Sequence, residues 1–452
     1  MFVQALDVSF SALEQLYASL QKIPGTIYLD SAAKDHENNN HSIFVWAPKF
    51  TIEADLKQTR VYQDEKLIEE TDNDPFIVIQ NYLDSLNAIP SQLPFHGGAI
   101  GYWDYELGGR FESLPKPKTN DIDLPNMYVG IYESAIVYDH KLNQASFVSI
   151  AHDAKAQLKQ ILNKLTNNIV HSGSFQLTSQ WQSNMTKSEY ESKFNQVQEY
   201  LLSGDCYQIN LAQRFSAEYS GDEWVAYAKL RQHNSAPFSG FIRLKQGAVL
   251  SVSPERFIQV TGDNAQSKPI KGTRPRSNNP DADIALAEEL RNAEKDRAEN
   301  LMIVDLLRND LSKVAVPGTV EVPSLFSIES FPAVHHLVST VTAKIKSPYT
   351  ALDLLRGAFP GGSITGAPKI RAMQIIHELE PHPRSVYCGA IGYITPDGNM
   401  DTNITIRTLV CNQNKIHCWA GGGLVADSQC DAEYQETLDK VNKILPILAG
   451  DN

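Results

Sequence analysis

Apolar positions along the first third of the chain alternate between two periods. Residues 9–20 place Leu13, Leu16, Tyr17 and Leu20 on one face, which predicts a short amphipathic helix. Strand-like runs follow at 26–29, 42–46 and 50–54, separated by a polar loop running from Asp30 through Asn40. A helix is expected around 76–86 and a strand at 98–102. The Gly-, Pro- and Lys-rich stretch 108–125 reads as an exposed loop. Residues 128–138 and 145–150 then form a predicted hairpin, and 154–165 a helix with Leu158, Ile161, Leu162 and Leu165 on one face.

A polar segment from Thr166 to Met185 gives a soft boundary between an N-terminal region, 1–166, and a second region, 186–450. Thr186 with Glu189 is a capping box for a helix carrying Tyr190, Phe194, Val197 and Leu201. Further on, 283–314 is the longest helical pattern, 370–379 a second helix, and 403–409 a strand in which Arg407 alternates with apolar neighbours. The run G-A-I-G-Y occurs at both 98–102 and 389–393, consistent with two related sheets each sending a strand to one core.

Charge and cysteines narrow the class. A formal net charge of -13 with no basic stripe argues against nucleic-acid binding. Five cysteines without C-x-x-C spacing fit a reduced compartment and neither a disulfide frame nor a zinc site. No basic leader and no membrane-length apolar run is present, so a cytoplasmic protein without a membrane partner is expected.

The chemistry concentrates around S-P-E-R-F at 253–257 and P-I-K-G-T at 269–273. Hydrophobic runs at 240–252 and 257–260 and a turn-rich gap predict a hairpin-like arrangement that brings Glu255 and Lys271 together. Such a pair could protonate a leaving hydroxyl and attack as an amine; the plain alternative is a cross-strand ion pair. Asp296 and Glu299 share a face with Asn292, Met302 and Ile303, and a second helix, capped by Ser428 with Asp431, repeats the step at Glu433 and Glu436 with Lys440 at i+4. Two carboxylate pairs could hold one Mg²⁺ and leave room for an anionic substrate, or could simply be solvated helix surface. F-P-G-G-S-I-T-G-A-P-K at 359–369 offers N–H groups at a helix start, Arg407 a carboxylate fork, and Gly421, Gly422 and Gly423 a close backbone approach. His335 and His336 face opposite ways if their run is a strand.

With these motifs in this order, G-D-C-Y-Q-I-N-L at 204–211, H-H-L-V-S at 335–339, I-R-T at 406–408 and E-Y-Q-E-T at 433–437 included, the chain resembles the chorismate-utilising enzymes. The resemblance is strong over 185–440 and looser before it. It implies an α+β fold of two large antiparallel sheets packed face to face with helices outside. It also implies amination of chorismate to 4-amino-4-deoxychorismate, on the way to 4-aminobenzoate and folate. In that reading Lys271 adds to ring C2 and Glu255 protonates the C4 hydroxyl. Glu299 and Glu436 bind Mg²⁺, with Asp296 and Glu433 outside them. Tyr393 and Arg407 hold the enolpyruvyl carboxylate, Thr365 and Gly421 to Gly423 lie near the ring carboxylate, His336 lies near the C4 oxygen, and Gln208 and Thr273 also bind substrate.

Relatives that make anthranilate have alanine in place of Lys271, and water-adding relatives carry a lysine in place of Gln208. Ammonia is expected from a separate glutamine amidotransferase subunit. Ser31, Pro237, Phe238 and Ser239 match positions that hold tryptophan in some members. An anthranilate-forming large subunit and a catalytically idle binding paralogue are the alternatives.

Overall fold

A computed structural model describes residues 1–32, 40–86, 89–115, 120–166, 173–331 and 334–450. Most of the predicted polar loop before Asn40 and part of the polar segment after Thr166 therefore lie outside the described residues. The strands form two sheets of 13 and 12 strands, with antiparallel pairing throughout the described residues. This is the two-sheet α+β architecture expected.

Burial on both faces of the 13-stranded sheet explains its near-continuous apolar strands. Along Phe238–Arg243, Gly247–Ser253 and Thr408–Asn412, neighbours point opposite ways. Ile242, Val249 and Val410 enter a core shared with the 12-stranded sheet, where they join Ile100, Val129, Ile258 and Ile391. Phe241, Leu250 and Leu409 enter a second core under the helices Phe10–Leu20 and Glu223–Asn234. The shared core is what fixes the two sheets face to face.

Strands from both sides of the 166–186 segment occur in both sheets, so that boundary divides the sequence and not the sheets. The two G-A-I-G-Y copies do not serve separate sheets either. Their strands, Gly98–Trp103 and Ala390–Ile394, pair directly, Gly101 opposite Gly392. The run 128–138 is two strands in different sheets, Met127–Tyr132 and Ser134–Asp139; the hairpin proper is Ser134–Asp139 with Gln144–Ser149. The expected loop at 108–125 begins inside a 3-10 helix, Tyr105–Arg110, with Leu107 and Gly108 buried.

Local signals held where they were self-contained. Thr186 and Glu189 make both bonds of the capping box, and Tyr190, Phe194, Val197 and Leu201 are buried along Lys187–Leu202. The long helical pattern is instead two helices, Pro280–Asn292 and Glu294–Ser312, broken at Ala293, so Asn292 does not share a helix face with Glu299. Among the described residues no helix is long and apolar enough to cross a membrane.

Candidate active site

Glu255 lies between the strands Gly247–Ser253 and Arg256–Thr261, where the chain passes from one sheet to the other. Lys271 is on Ile270–Pro275, which pairs with Val334–Lys344 rather than with Glu255's strand; two strands intervene in the sheet. Glu255 and Lys271 are therefore not joined by the hairpin expected from sequence but are brought to one cavity by long-range packing. Ile270 opposes Val338 and Thr273 opposes His336, so the Lys271-Gly272 pair carries one extra residue, a β-bulge. Gly272 adopts φ +80°, and a Cβ there would meet Asp296 Cγ and Leu290 Cδ1 at 2.8 Å. The bulge aims Lys271 into a cavity of about 570 Å³ that Glu255 also lines.

The turn Gly362–Ile364 lies between the two groups. Lys271 Nζ donates to the Ser363 carbonyl (3.3 Å), and Ser363 Oγ donates to Glu255 Oε1 (3.3 Å). Burial pushes the Glu255 carboxyl up to about 7, against the opposing pull of Lys271, Ser363 and Lys440. Burial pushes Lys271 down from the usual lysine range, and the Lys440 ammonium adds to that, while Glu299 and Glu255 oppose it. Both shifts favour the neutral forms that an acid and an amine nucleophile need.

Opposite them, Asp296 and Glu299 of Glu294–Ser312 and Glu433 and Glu436 of Cys430–Val441 line the same cavity. Ser428 does not cap the second helix; its hydroxyl donates to Glu433 Oε1 (2.6 Å) and Gln429 takes the cap position. Asp431 pairs with Lys187 instead. Lys440 pairs with Glu436 (2.7 Å) and donates to the Gly421 carbonyl (2.8 Å), and Lys295 pairs with Glu433 (3.4 Å). A Cβ on Gly422 would come within 3.1 Å of Glu433 Oε2, so the acids rest against bare backbone. Among the described residues no three acids or imidazoles converge to cage an ion by themselves. An all-oxygen wall of this kind suits Mg²⁺, which takes one or two carboxylates and leaves its remaining positions to substrate and water.

Arg407 reaches the cavity by a route the pattern did not predict. It stands between the strands Met400–Ile404 and Thr408–Asn412 with φ +50°, again at a crossing between sheets. Its guanidinium has no carboxylate or carbonyl partner among the described residues, and burial lowers its pKa. His336 bonds Thr273 (2.8 Å) on the cavity wall, whereas His335 turns away to Ser330 and Asp283, as alternation required.

A family model described as chorismate binding enzyme matches residues 25–446. The chain belongs to this family. It is 54% identical over 437 residues to aminodeoxychorismate synthase component 1 of Escherichia coli (strain K12), covering 96% of this chain and 95% of that one. It is 35% identical over 440 residues to anthranilate synthase component 1 of Lactococcus lactis subsp. lactis, covering 93% and 94%. The crystal structure of anthranilate synthase component I from Streptococcus pneumoniae TIGR4 superposes with a TM-score of 0.81 at 32% identity, covering 90% of this chain and 92% of that chain.

Not every expected residue of this chorismate-binding chain meets the cavity. Tyr393 packs on Phe95 (5.8 Å) and lines a different cavity of about 350 Å³; Tyr387 lines the first cavity instead, as Arg407 does. Thr365 is fully buried, donates to the Gly361 and Gly362 carbonyls and braces the turn without lining the cavity. The helix Lys369–Leu379 starts away from the cavity, with Lys369 held by Asp310 and the Ala358 carbonyl. Gln208 lies behind the wall: a Cβ on Gly423 would be 2.0 Å from its Nε2. Gly421 and Gly423 do line the cavity.

Sequence reasoning missed Ser363, Asn210, Arg274, Lys295 and Tyr387 as lining residues, and gave Lys440 only a helix-pair role. The G-G-S-I-T-G motif was a usable signal for Ser363. Nothing in spacing separates Tyr387 from Tyr393. Ser31, Pro237, Phe238 and Ser239 are brought together in the second cavity, with Tyr393, Arg256 and Asp401.

Proposed function

We propose that the protein aminates chorismate with ammonia to 4-amino-4-deoxychorismate, with ammonia delivered by a glutamine amidotransferase subunit, in the synthesis of 4-aminobenzoate. The observation that carries this reading is the enclosure of Lys271 and Glu255, each shifted toward its neutral form, in one cavity opposite a carboxylate wall. The high identity to the E. coli relative named for aminodeoxychorismate synthesis supports it over the more distant anthranilate synthases.

Neutral Lys271 forms a bond from Nζ to ring C2. The C1–C2 π pair moves to C1–C6, the C5–C6 pair moves to C4–C5, and the C4–O bond breaks, with Glu255 giving its proton to the departing hydroxyl as water. The adduct nitrogen returns a proton to the Glu255 carboxylate. Ammonia then bonds to C4, the electron shifts reverse, and the lysine nitrogen leaves C2 with the proton from Glu255, which takes one back from the new C4 ammonium, so that chorismate and ammonia give the aminated ring and water. Arg407 and Tyr387 would orient the enolpyruvyl carboxylate, and His336 the C4 oxygen. Glu299 and Glu436 would hold Mg²⁺, with Asp296 and Glu433 through water; when bound it would supply a Lewis acid at the ring carboxylate.

Incubation with chorismate, Mg²⁺ and an ammonium salt, followed by product identification, tests the reading. A predominance of anthranilate, or no amination, would overturn it. The second cavity is read as a retained tryptophan-type pocket. A calorimetric titration with tryptophan that released no heat would remove that assignment.

A further inference from the structure

Nothing in the sheet pairing fixes Lys271 relative to Glu255, because their strands are not neighbours. Ser363 contacts both. Its carbonyl accepts from Lys271 Nζ and its hydroxyl donates to Glu255 Oε1, each at 3.3 Å. Ser363 is 8% exposed, and its turn is held from several sides. Thr365 Oγ1 donates to the Gly361 and Gly362 carbonyls, Arg384 Nη1 donates to the Ile364 carbonyl (3.0 Å), and Gly362 packs so closely on Leu306 that a Cβ would lie 3.2 Å from it.

We infer that Ser363 is a positioning residue that sets the amine and the acid in one fixed relation, a role that rests on the amination reading above. An amine that donates one N–H to the Ser363 carbonyl has its lone pair turned away from that carbonyl, free for the substrate. A carboxyl that receives the Ser363 hydroxyl on Oε1 keeps Oε2 for the proton it must deliver. One residue thereby orients both ends of the substitution. The other charged groups facing Glu255 are Lys271 and Lys440, and those facing Lys271 are Glu299, Glu255, Lys440 and Glu436; none of them bridges the pair as Ser363 does.

The test compares Ser363→Ala and Ser363→Thr with wild type in the full chain, with chorismate, Mg²⁺ and ammonium salt. Failure of the wild type to aminate chorismate would remove the functional reading itself. With amination present, Ser363→Ala is expected to lower kcat about 10- to 100-fold, as for a lost hydrogen bond to a charged group, with the chorismate KM changed less than about threefold. The limb of the kcat/KM profile set by Glu255 near 7 should move to higher pH, because the missing donor stabilised the carboxylate. Ser363→Thr, which keeps the hydroxyl, should restore both rate and limb. An unmoved limb, a loss confined to KM, or a Thr variant as impaired as Ala would each overturn the role.

Discussion

The two cavities differ in how their charges are compensated. In the one beside Ser31, Arg256 grips Asp401 through two bonds of 2.9 Å, and Asp30 receives Tyr28 (2.7 Å), Ser42 (2.9 Å) and the Arg231 guanidinium. In the one beside Lys271 the outer charges are paired, Lys440 with Glu436 and Lys295 with Glu433, but Arg407 has no partner among the described residues, and the Lys271 and Glu255 side chains meet only a carbonyl and a hydroxyl at 3.3 Å. A charge already neutralised by protein can shape a pocket but has little left to offer a ligand. A buried charge without a partner is costly and persists where a ligand or a reaction completes it. The contrast supports the proposed chemistry in the Lys271 cavity and offers none in the other.

The sharpest way to break that assignment is Lys271→Ala. Turnover should fall by at least about 100-fold while chorismate binding, measured by titration, stays largely intact, because on the proposed reading a nucleophile is removed and the carboxylate receptors are kept. Lost binding with turnover per bound substrate unchanged would contradict it. The same pair sets the pH dependence. Its working form carries one proton in all, on Glu255. A second proton at low pH sits on Lys271, and removal of the first at high pH leaves Glu255 ionised, so kcat/KM should be bell-shaped. One limb belongs to Glu255 near 7 and the other to Lys271 below the usual lysine range.

Gly272→Ala comes next, because it attacks the bulge rather than the amine. The side chain would be strained at φ +80° and would press on Asp296 and Leu290, costing about 1–3 kcal/mol of stability. Thermal unfolding should show that loss, and kcat should fall with it because Lys271 is re-aimed. An alanine variant with wild-type Tm and kcat would show that the bulge is not what directs the lysine.

Much of the fold was legible because it is local. Apolar runs marked many of the strands, Thr186 and Glu189 announced a helix start, and Glu433 and Glu436 were placed correctly by helical spacing. The errors share a cause, which is that the decisive contacts are distant in sequence. Ala293 breaks a helix without glycine or proline to signal it, and Arg407 leaves a strand pattern in the left-handed region because the chain changes sheets there. Glu255 and Lys271 meet through Ser363, 92 residues beyond the lysine. Periodicity carries no information of that range, whereas the ordered set of motifs does.

A smaller effect is expected at the carboxylate wall. Glu436→Gln should raise the Mg²⁺ requirement about tenfold, since it weakens one oxygen ligand and frees Lys440 from its partner. An unaltered metal titration would place the ion elsewhere.

The smallest effect should come from the compensated cavity. Ser31 Oγ donates to the Pro237 carbonyl (3.0 Å) in a buried bond, so Ser31→Ala should cost about 1 kcal/mol in unfolding free energy. Because that bond closes within the wall of a cavity that Lys271 does not line, kcat and the chorismate KM should stay within about twofold of wild type. If Ser31→Ala instead lowered kcat tenfold at unchanged stability, the two cavities would be energetically coupled. The division between a reacting site and an occupied one would then have to be replaced by a single linked system.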